Sequence, residues 1–144
     1  MAGRNNILIR IIMKKIALIG IVALLSLCAS CSNSKSRAEV QLVSPVEVYE
    51  AVYGEDSLQL VDVRTEDEYQ VSHLKNAQNI CVTSNDFKEK VASLDKAKPV
   101  YVYCKKGGRS AKAASILKEM GFTKVYDLQG GLTSWEQEGL ETIN

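Results

Sequence analysis

Short apolar runs that alternate with helix-like patterns are the feature that most restricts the fold of this 144-residue chain. Parallel neighbours in a sheet need crossover connections, which are usually helices, so this alternation is typical of an α/β domain. We therefore expect one α/β domain with parallel strands over residues 39–144. The apolar runs predict strands at residues 40–43, 58–63, 78–82, 100–103 and 124–128.

Capping residues mark the ends of the predicted helices. Ser44, followed by Pro45 and Glu47, has the pattern of a capping box with proline at the first helical position. Thr65 and Glu68 have the same spacing, which predicts a second, short helix after residue 65. The other helices are predicted at residues 45–53, 85–94, 110–120 and 132–138, with Gly121 as the residue after the fourth helix.

Charge is distributed unevenly along the chain. Residues 1–30 contain four Lys or Arg and no acidic residue, whereas the other 114 residues contain 14 Lys or Arg and 17 Asp or Glu. Nucleic-acid binding needs a basic surface, because phosphate contacts dominate the affinity. The mildly acidic body therefore argues against nucleic acid as a partner.

Residues 1–30 have the composition of an export signal. Lys14 and Lys15 precede an uncharged apolar run at residues 16–27, and small residues follow it. A helix over that run would be about 18 Å long, which is short of the ~30 Å hydrocarbon core of a membrane. The segment is therefore predicted to be a cleaved signal peptide. Met13 is an alternative start, since it places both lysines directly at the amino terminus.

Residues 27–31 resemble a bacterial lipoprotein box, in which the signal is cut before a cysteine that then carries a lipid. The resemblance predicts cleavage before Cys31, a lipid on its sulfur, and a protein anchored to a membrane on the periplasmic side. Residues 31–38 are predicted to form a polar tether. The alternative is ordinary secretion with an unmodified Cys31.

Cys81 and Cys104 are the cysteines of the remaining body, and His73 is the only histidine of the chain. Two cysteines are too few for a disulfide framework. The sequence has no paired Cys-x-x-Cys motif or histidine cluster, so no metal site is expected. A reactive thiol is the remaining candidate for chemistry.

Cys104 lies between the most strongly predicted strand and the helix that begins near Ser110. Ligands of parallel sheets gather at this edge, where the strands end. The helix start offers unpaired N–H groups, and Gly107 and Gly108 allow the loop amides to turn inward. These effects favour a thiolate, so we expect a lowered pKa for Cys104 and a sulfur that is open to solvent.

Three cationic side chains, Lys105, Lys106 and Arg109, follow Cys104 in the same loop. They place positive charge near the sulfur, and the two lysines would attract an anionic substrate. For the lysines the alternative is a solvated loop surface. For Arg109 two roles stay open: pairing with substrate oxygens, or holding the loop through backbone carbonyls and an acidic neighbour.

The loop of residues 104–110 resembles the active-site loop of the rhodanese family, whose members are sulfurtransferases that carry sulfur as a cysteine persulfide. The resemblance implies a five-stranded parallel sheet flanked by helices on both faces, with the catalytic loop after the fourth strand. Other family-like segments lie in the expected order along the chain. Those before the loop are at residues 62–64, 68–69 and 72–80, and those after it are at residues 128–131 and 135.

The resemblance implies covalent catalysis in two steps. Cys104 would take sulfur from a small anionic donor such as thiosulfate and pass it to a thiol or cyanide acceptor, without a metal or organic cofactor. Two roles stay open for Cys81. It is either an inert strand residue or a thiol that closes a disulfide with Cys104, on which a redox partner protein would then act.

Two other functions stay open. Cysteine phosphatases and arsenate reductases use a related loop, but their arginine follows the cysteine by six positions, whereas Arg109 follows Cys104 by five. A shorter ring of amides suits one terminal sulfur better than a phosphoryl group with three equatorial oxygens. The other alternative is a non-catalytic module that docks a partner protein, although the intact loop favours catalysis.

Residues outside the loop are expected to support it. Asp62 and Arg64 end the second strand and are predicted to brace the loop. His73 is predicted to pack the turn after the second helix, since an ionised thiol needs no general base. Asn76 stands where the family often has glycine, and asparagine tolerates the left-handed conformation that the turn would need.

Overall fold

A computed structural model describes residues 39–54 and 58–144 of the chain. The predicted signal peptide, the predicted lipid attachment site at Cys31 and the predicted polar tether lie outside these residues. No helix among the described residues is long and apolar enough to cross a membrane.

The described strands form one sheet in which every pair is parallel, with β4 at its centre. The sheet order is β1-β5-β4-β2-β3, which confirms the five-stranded parallel sheet. The strands are β1 (Glu39–Val43), β2 (Gln59–Asp62), β3 (Gln78–Asn79), β4 (Val100–Tyr103) and β5 (Lys124–Leu128). Of the strand predicted at 78–82, only Gln78–Asn79 form a regular strand. The amides of Ile80 and Val82 nevertheless donate to the carbonyls of Asp62 and Val63.

Four helices connect the described strands and a fifth follows β5, as predicted from the sequence. They are α1 (Pro45–Gly54), α2 (Glu66–Val71), α3 (Phe87–Val91), α4 (Gly108–Glu119) and α5 (Gly131–Gln137). The third helix is shorter than predicted, because residues 92–94 form turns instead of a further helical turn. The fourth begins two residues earlier than predicted, because Gly107 already ends the loop in a left-handed conformation, with φ of 104°.

The capping residues explain where the first two helices begin. Thr65 accepts a hydrogen bond from the amide of Glu68, and the Glu68 carboxylate accepts one from the amide of Thr65. Ser44 and Glu47 form the same reciprocal pair. Each pair satisfies two N–H groups that a helix start leaves free. Both predicted capping boxes are therefore present.

Side chains alternate between the two faces of the central strand. Val100, Val102 and Cys104 belong to the apolar cluster that α3 and α4 cover. Tyr101 and Tyr103 belong to the cluster that α1, α2 and α5 cover. Because successive strand residues point to opposite faces, β4 needs apolar side chains at every position when helices cover both faces. This confirms the sheet flanked on both faces.

Asn76 adopts the left-handed conformation expected of it, with φ of 65°, in the turn before β3. Its side chain is exposed, so the position tests backbone strain with little change in packing. We predict that Asn76→Ala lowers the free energy of unfolding by about 1 kcal/mol, because a Cβ without a polar group is disfavoured there.

Asn76→Gly is the matched control, because glycine adopts this conformation without a steric penalty. In urea unfolding, its free energy of unfolding is expected to be closer to that of the wild type than the free energy of unfolding of the alanine variant is. Equal destabilisation by both variants would contradict the prediction, since it would assign the loss to the missing side chain.

Candidate active site

The carbonyl groups that follow β4 are bound by the start of α5. The amide of Leu132 donates to the Cys104 carbonyl at 2.9 Å, and the amide of Thr133 donates to the Lys105 carbonyl at 3.1 Å. The Thr133 hydroxyl donates to the same Lys105 oxygen at 2.9 Å. Amides at a helix start lack partners within the helix, so these carbonyls satisfy them. The loop is thereby fixed with its carbonyls directed at α5.

Gly131 is required for this close approach. An ideal Cβ on Gly131 would lie 2.3 Å from the Cys104 carbonyl oxygen and 2.9 Å from the carbonyl carbon of Lys105. Its φ of 61° is also in the region that favours glycine. Gly131 belongs to residues 128–131, one of the segments in which the sequence resembles the rhodanese family.

The Cys104 sulfur lies among hydrogen-bond donors of its own loop. The amide of Gly107 donates to Sγ at 3.1 Å. Burial raises the pKa of the Cys104 thiol, but hydrogen bonds from the hydroxyl and amide of Ser110 and from the amides of Lys106 and Gly107 outweigh it. The pKa is therefore lowered from its ordinary value, as the sequence predicted.

The two glycines of the loop have different roles. Gly107 alone of the pair has a positive φ, and its conformation turns its amide toward the sulfur. Gly108 is the first residue of α4. The sequence attributed the inward turn to both glycines, and the structure assigns it to the first.

The expectation of a solvent-open sulfur is wrong for the structure as described. Cys104 is only 2% exposed, and it belongs to the same apolar cluster as Val102 and Ala113. The cause is its position at the end of the central strand, where α4 covers one side and the loop folds over the sulfur. The sulfur is thus covered by its own loop, and the amide of Gly107 donates to it there.

Arg109 is held by an acidic neighbour on another helix. Its guanidinium makes two parallel hydrogen bonds with the Glu68 carboxylate, at 2.5 and 2.7 Å. Both side chains are about one-third exposed. The arrangement agrees with the loop-holding alternative, because the fork of Arg109 is occupied by a carboxylate. Glu68 therefore joins α2 to the start of α4 while it also caps α2.

The two lysines of the loop differ in their surroundings. The Lys105 ammonium lies 3.1 Å from the Glu136 carboxylate of α5, in a half-exposed ion pair. Lys106 is exposed, whereas Lys105 is half-buried. The main causes of the lowered cysteine pKa are hydrogen bonds and not these charges. The predicted contribution of the lysines to thiolate formation is therefore minor.

Asp62 and Arg64 form a buried ion pair at the end of β2. The Arg64 Nη2 atom lies 2.6 Å from Asp62 Oδ2, and the same nitrogen donates to the Ser72 carbonyl at 2.6 Å. The side-chain amide of Asn79 donates to the carbonyls of both residues. The pair thus braces the segments on either side of α2, the helix that carries Glu68.

An open pocket of about 260 Å³ lies beside the loop that carries Cys104. Two cationic side chains, from Arg64 and Lys105, are part of its wall. Cys104 does not line it, which is consistent with the buried sulfur. The lining residues are Arg64, Glu68, Val71, Ser72 and Lys105.

His73 has the structural role expected of it. Its Nδ1 atom lies 2.9 Å from the Tyr69 carbonyl, and its ring stacks on the Tyr69 ring with 3.8 Å between centroids. Its main chain pairs with Ile143 through two hydrogen bonds, at 2.7 and 2.8 Å. These contacts fasten the turn after α2 to the carboxyl-terminal segment.

Cys81 and Cys104 are both free thiols. The Cys81 sulfur lies 3.2 Å from the Thr83 hydroxyl.

No group of three or more His, Cys, Asp or Glu within residues 39–54 and 58–144 is arranged to hold a metal ion.

Four residues at or behind the site were not assigned a role there from the sequence. Glu68 was recognised only as a capping residue and as part of a family signature, although an unnamed acidic partner was expected for Arg109. Gly131 was recognised only within a family signature, and Thr133 was not singled out. Asp127, buried behind the loop, gave no signal beyond being a charged residue in an apolar strand.

The Glu68–Arg109 pair predicts a specific pH dependence of stability. Hydrogen bonds from Arg109 lower the pKa of Glu68 from its ordinary 4.5 to about 2, against the opposing effect of burial. A carboxyl whose pKa is lower in the folded state stabilises the fold above its unfolded pKa and loses that effect as the pH falls through the folded pKa. The stabilisation should therefore be complete above about pH 4.5 and disappear toward pH 2.

Urea unfolding of the wild type and Glu68→Gln at several pH values measures this effect. The difference in the free energy of unfolding should shrink as the pH falls from 4.5 to 2. Asp67→Asn, an exposed neighbour in the same helix, is the control and should show a smaller pH dependence. A difference between wild type and Glu68→Gln that does not change with pH would contradict the prediction.

Comparison with known proteins agrees with the geometry of the loop. The rhodanese-like domain family matches residues 44–138. The thiosulfate sulfurtransferase GlpE of Coxiella burnetii is 38% identical over 95 residues, which are 65% of this chain and 85% of that protein. The uncharacterized protein YqhL of Bacillus subtilis is 37% identical over 82 residues, which are 57% of this chain and 64% of YqhL, somewhat less than two thirds of its length.

A solved structure extends the similarity to the fold. The polysulfide-sulfur transferase homodimer of Wolinella succinogenes superposes with a TM-score of 0.62 at 31% identity, covering 75% of this chain and 81% of that chain. The relatives thus include sulfurtransferases, and the family match spans β2 to β5, the five helices and the cysteine loop. The chain belongs to the rhodanese-like domain family.

Proposed function

We propose that this protein is a sulfurtransferase that moves sulfane sulfur through a persulfide on Cys104. The observation that carries the proposal is the set of hydrogen-bond donors directed at the Cys104 sulfur, from Gly107 at 3.1 Å and from Lys106 and Ser110. A nucleophilic thiol needs a stabilised thiolate, and a persulfide needs donors for its terminal charge. Its similarity to thiosulfate sulfurtransferase GlpE supports the same activity.

In the first step, the Cys104 thiolate attacks the outer sulfur of a donor such as thiosulfate. The new S–S bond forms while the bond between the two sulfurs of thiosulfate breaks, and the electron pair of that bond leaves with sulfite. One thiolate and one thiosulfate dianion thus give one persulfide anion and one sulfite dianion. No proton is transferred, so no general base is needed.

In the second step, an acceptor removes the outer sulfur. Cyanide attacks this sulfur and leaves as thiocyanate, and the electron pair of the S–S bond returns to Cys104 as thiolate. A thiolate acceptor would take the sulfur as a new persulfide in the same manner. The amides of the loop stabilise the charge on sulfur in both steps, because they are fixed before the reaction.

The burial of Cys104 favours a small donor. A sulfur that is 2% exposed can be reached only by a narrow terminal atom that enters the ring of loop amides. The outer sulfur of thiosulfate has this shape, and the ammonium group of Lys106, which is exposed at the same loop, complements its anionic sulfonate group.

We predict that Cys104→Ser abolishes the release of sulfite from thiosulfate in the presence of cyanide. The serine hydroxyl is a far weaker nucleophile than a thiolate at neutral pH. Sulfite and thiocyanate formation by the purified protein measures the turnover. Cys81→Ser is the matched control and should keep the activity of the wild type.

Mass spectrometry after treatment with thiosulfate separates the catalytic assignment from the alternatives. The proposal predicts an added mass of one sulfur atom on the Cys104 peptide. An unmodified Cys104 with no turnover would contradict the proposal and favour a module that docks a partner protein. Hydrolysis of an aryl phosphate that depends on Cys104 would instead favour a phosphatase.

We also propose that the protein is exported and lipid-anchored through Cys31, so that sulfur transfer takes place on the periplasmic side of a membrane. The support is the order of basic residues, a short apolar run and the lipoprotein-like box at residues 27–31. Cys31→Ser is expected to abolish incorporation of a labelled fatty acid in a bacterial host and to release the protein from the membrane fraction.

Cys28→Ser is the matched control for the anchor. Cys28 lies before the proposed cleavage site, so its substitution should leave the lipid label on the mature protein. Labelling that persists in Cys31→Ser would contradict the anchor, and an unlabelled, secreted wild type would support ordinary export.

A further inference from the structure

Two exposed tyrosines and a valine form a stripe along one side of α1. Val46, Tyr49 and Tyr53 are spaced three and four residues apart, so they lie on the same side of the helix. Their exposed fractions are 48%, 41% and 42%. The two tyrosine rings pack together with 4.4 Å between their centroids, and the Tyr49 ring lies 6.1 Å from that of the buried Trp135. This tyrosine stripe is thus packed against the fold on one side and exposed to solvent on the other.

The tyrosine stripe leads to the edge of the sheet at which the strands begin. All described strand pairs are parallel, and α1 returns the chain from the end of β1 to the start of β2, so α1 ends at the edge where β1 starts. Tyr53 lies in the last turn of α1. The ammonium group of Lys75, which precedes β3, lies 5.8 Å from the centre of the Tyr53 ring. Cys104 follows the end of β4 and therefore lies at the opposite edge.

The length of the chain before β1 limits how far this edge can lie from the proposed lipid anchor. Glu39, the first residue of β1, follows Cys31 by eight positions. Their Cα atoms can therefore lie at most about 29 Å apart, even when the chain between them is fully extended. A lipid on Cys31 would hold the edge at which the strands begin close to the membrane surface.

The chemistry of the tyrosine stripe fits the headgroup region of a membrane. Tyrosine combines an apolar ring with a polar hydroxyl, and it is enriched where hydrocarbon meets water. Burial is the main cause that raises the pKa of Tyr53 above its ordinary 10.0, and Tyr49 and Glu141 act in the same direction, so the phenol is neutral at physiological pH. Lys75 and Glu141 have opposite charges, so the contact should not depend on anionic lipids.

The small size of the tyrosine stripe argues against a protein partner. Stable protein interfaces bury about 800 Å² on each partner, and three side chains that are already more than half covered offer much less. A membrane needs no such area, because the anchor keeps the stripe at a high effective concentration near the surface. A weak contact is then sufficient to orient the domain.

We propose that the tyrosine stripe of α1 contacts the headgroup region of the membrane and directs the Cys104 loop away from it. This orientation rests on the proposed lipid anchor at Cys31, but not on the proposed chemistry of Cys104. The ten residues of α1 form a helix about 15 Å long, so the loop at the opposite edge is held about this much further from the lipid. The loop then faces the aqueous side, where a water-soluble donor such as thiosulfate reaches it.

Tryptophan fluorescence in vesicles of phosphatidylethanolamine and phosphatidylglycerol tests this orientation. The mature lipidated protein carries Tyr53→Trp as the probe of the stripe, or Gln129→Trp, an exposed position after β5, as the matched probe of the opposite edge. The parent protein gives the signal of the buried Trp135, which is subtracted. Lipids brominated near the headgroup should remove most of the fluorescence added by Tyr53→Trp and little of that added by Gln129→Trp. Equal quenching of both probes, or none of Tyr53→Trp, would overturn the proposal.

Removal of the tyrosine stripe is the second arm of the experiment. Tyr49→Ser combined with Tyr53→Ser should release the domain from its fixed orientation, so the Gln129→Trp probe should lose more of its fluorescence to the brominated lipids. Leu42→Ser is the matched control, because Leu42 is 67% exposed but lies on β1, outside the stripe. It should leave the quenching unchanged. Unchanged quenching in the double variant would assign the orientation to the tether alone and overturn the role of the stripe.

Two further measurements separate this proposal from its alternatives. Cys31→Ser, which lacks the lipid, should sediment as a monomer, whereas a dimer that Tyr53→Ser dissociates would overturn the proposal in favour of a second copy as the occupant. A wild type without a fatty-acid label would overturn the anchor and the orientation together. A labelled protein in which Tyr53→Trp is not quenched would overturn the orientation alone.

Discussion

The hydrogen bonds from the start of α5 to the carbonyls of Cys104 and Lys105 fix the first two peptide units of the loop. A peptide unit has its N–H and C=O on opposite sides, so a loop whose carbonyls are bound on one side presents its following amides on the other. Gly131 makes this possible, because a Cβ there would lie 2.3 Å from the Cys104 carbonyl oxygen. The close approach of α5 to β4 thus fixes the start of the loop, and the left-handed Gly107 then turns its own amide toward the sulfur.

Two ion pairs support this loop from neighbouring segments. Glu68 of α2 holds the guanidinium of Arg109 at the start of α4, and the buried pair of Asp62 and Arg64 holds the turn that follows α2. Removing one partner of a buried pair leaves a charge without compensation, which is more costly than the pair itself is stabilising. These residues therefore act on the geometry of the loop, while the sulfur itself is surrounded by main-chain amides and the Ser110 hydroxyl.

The fold and the position of the cysteine could be predicted from the sequence because they depend on local patterns. Apolar runs, capping boxes and the left-handed Asn76 are properties of neighbouring residues, and they agree with the structure at α1, α2 and β4. The Arg109–Glu68 pair, the approach of Gly131 and the burial of Cys104 depend on packing between distant segments. Hydropathy and spacing carry little information about such contacts, and the sequence therefore predicted an open sulfur where the structure has a covered one.

Sulfur transfer through Cys104 requires amides that are directed inward before the reaction and that hold the outer sulfur of a persulfide. A crystal structure of the protein after treatment with thiosulfate measures this directly. We expect a second sulfur atom on Cys104 within hydrogen-bond distance of the amides of residues 106–110, with the bonds from α5 to the Cys104 and Lys105 carbonyls unchanged. A persulfide that points away from these amides, or a loop whose amides have turned toward solvent, would contradict the account.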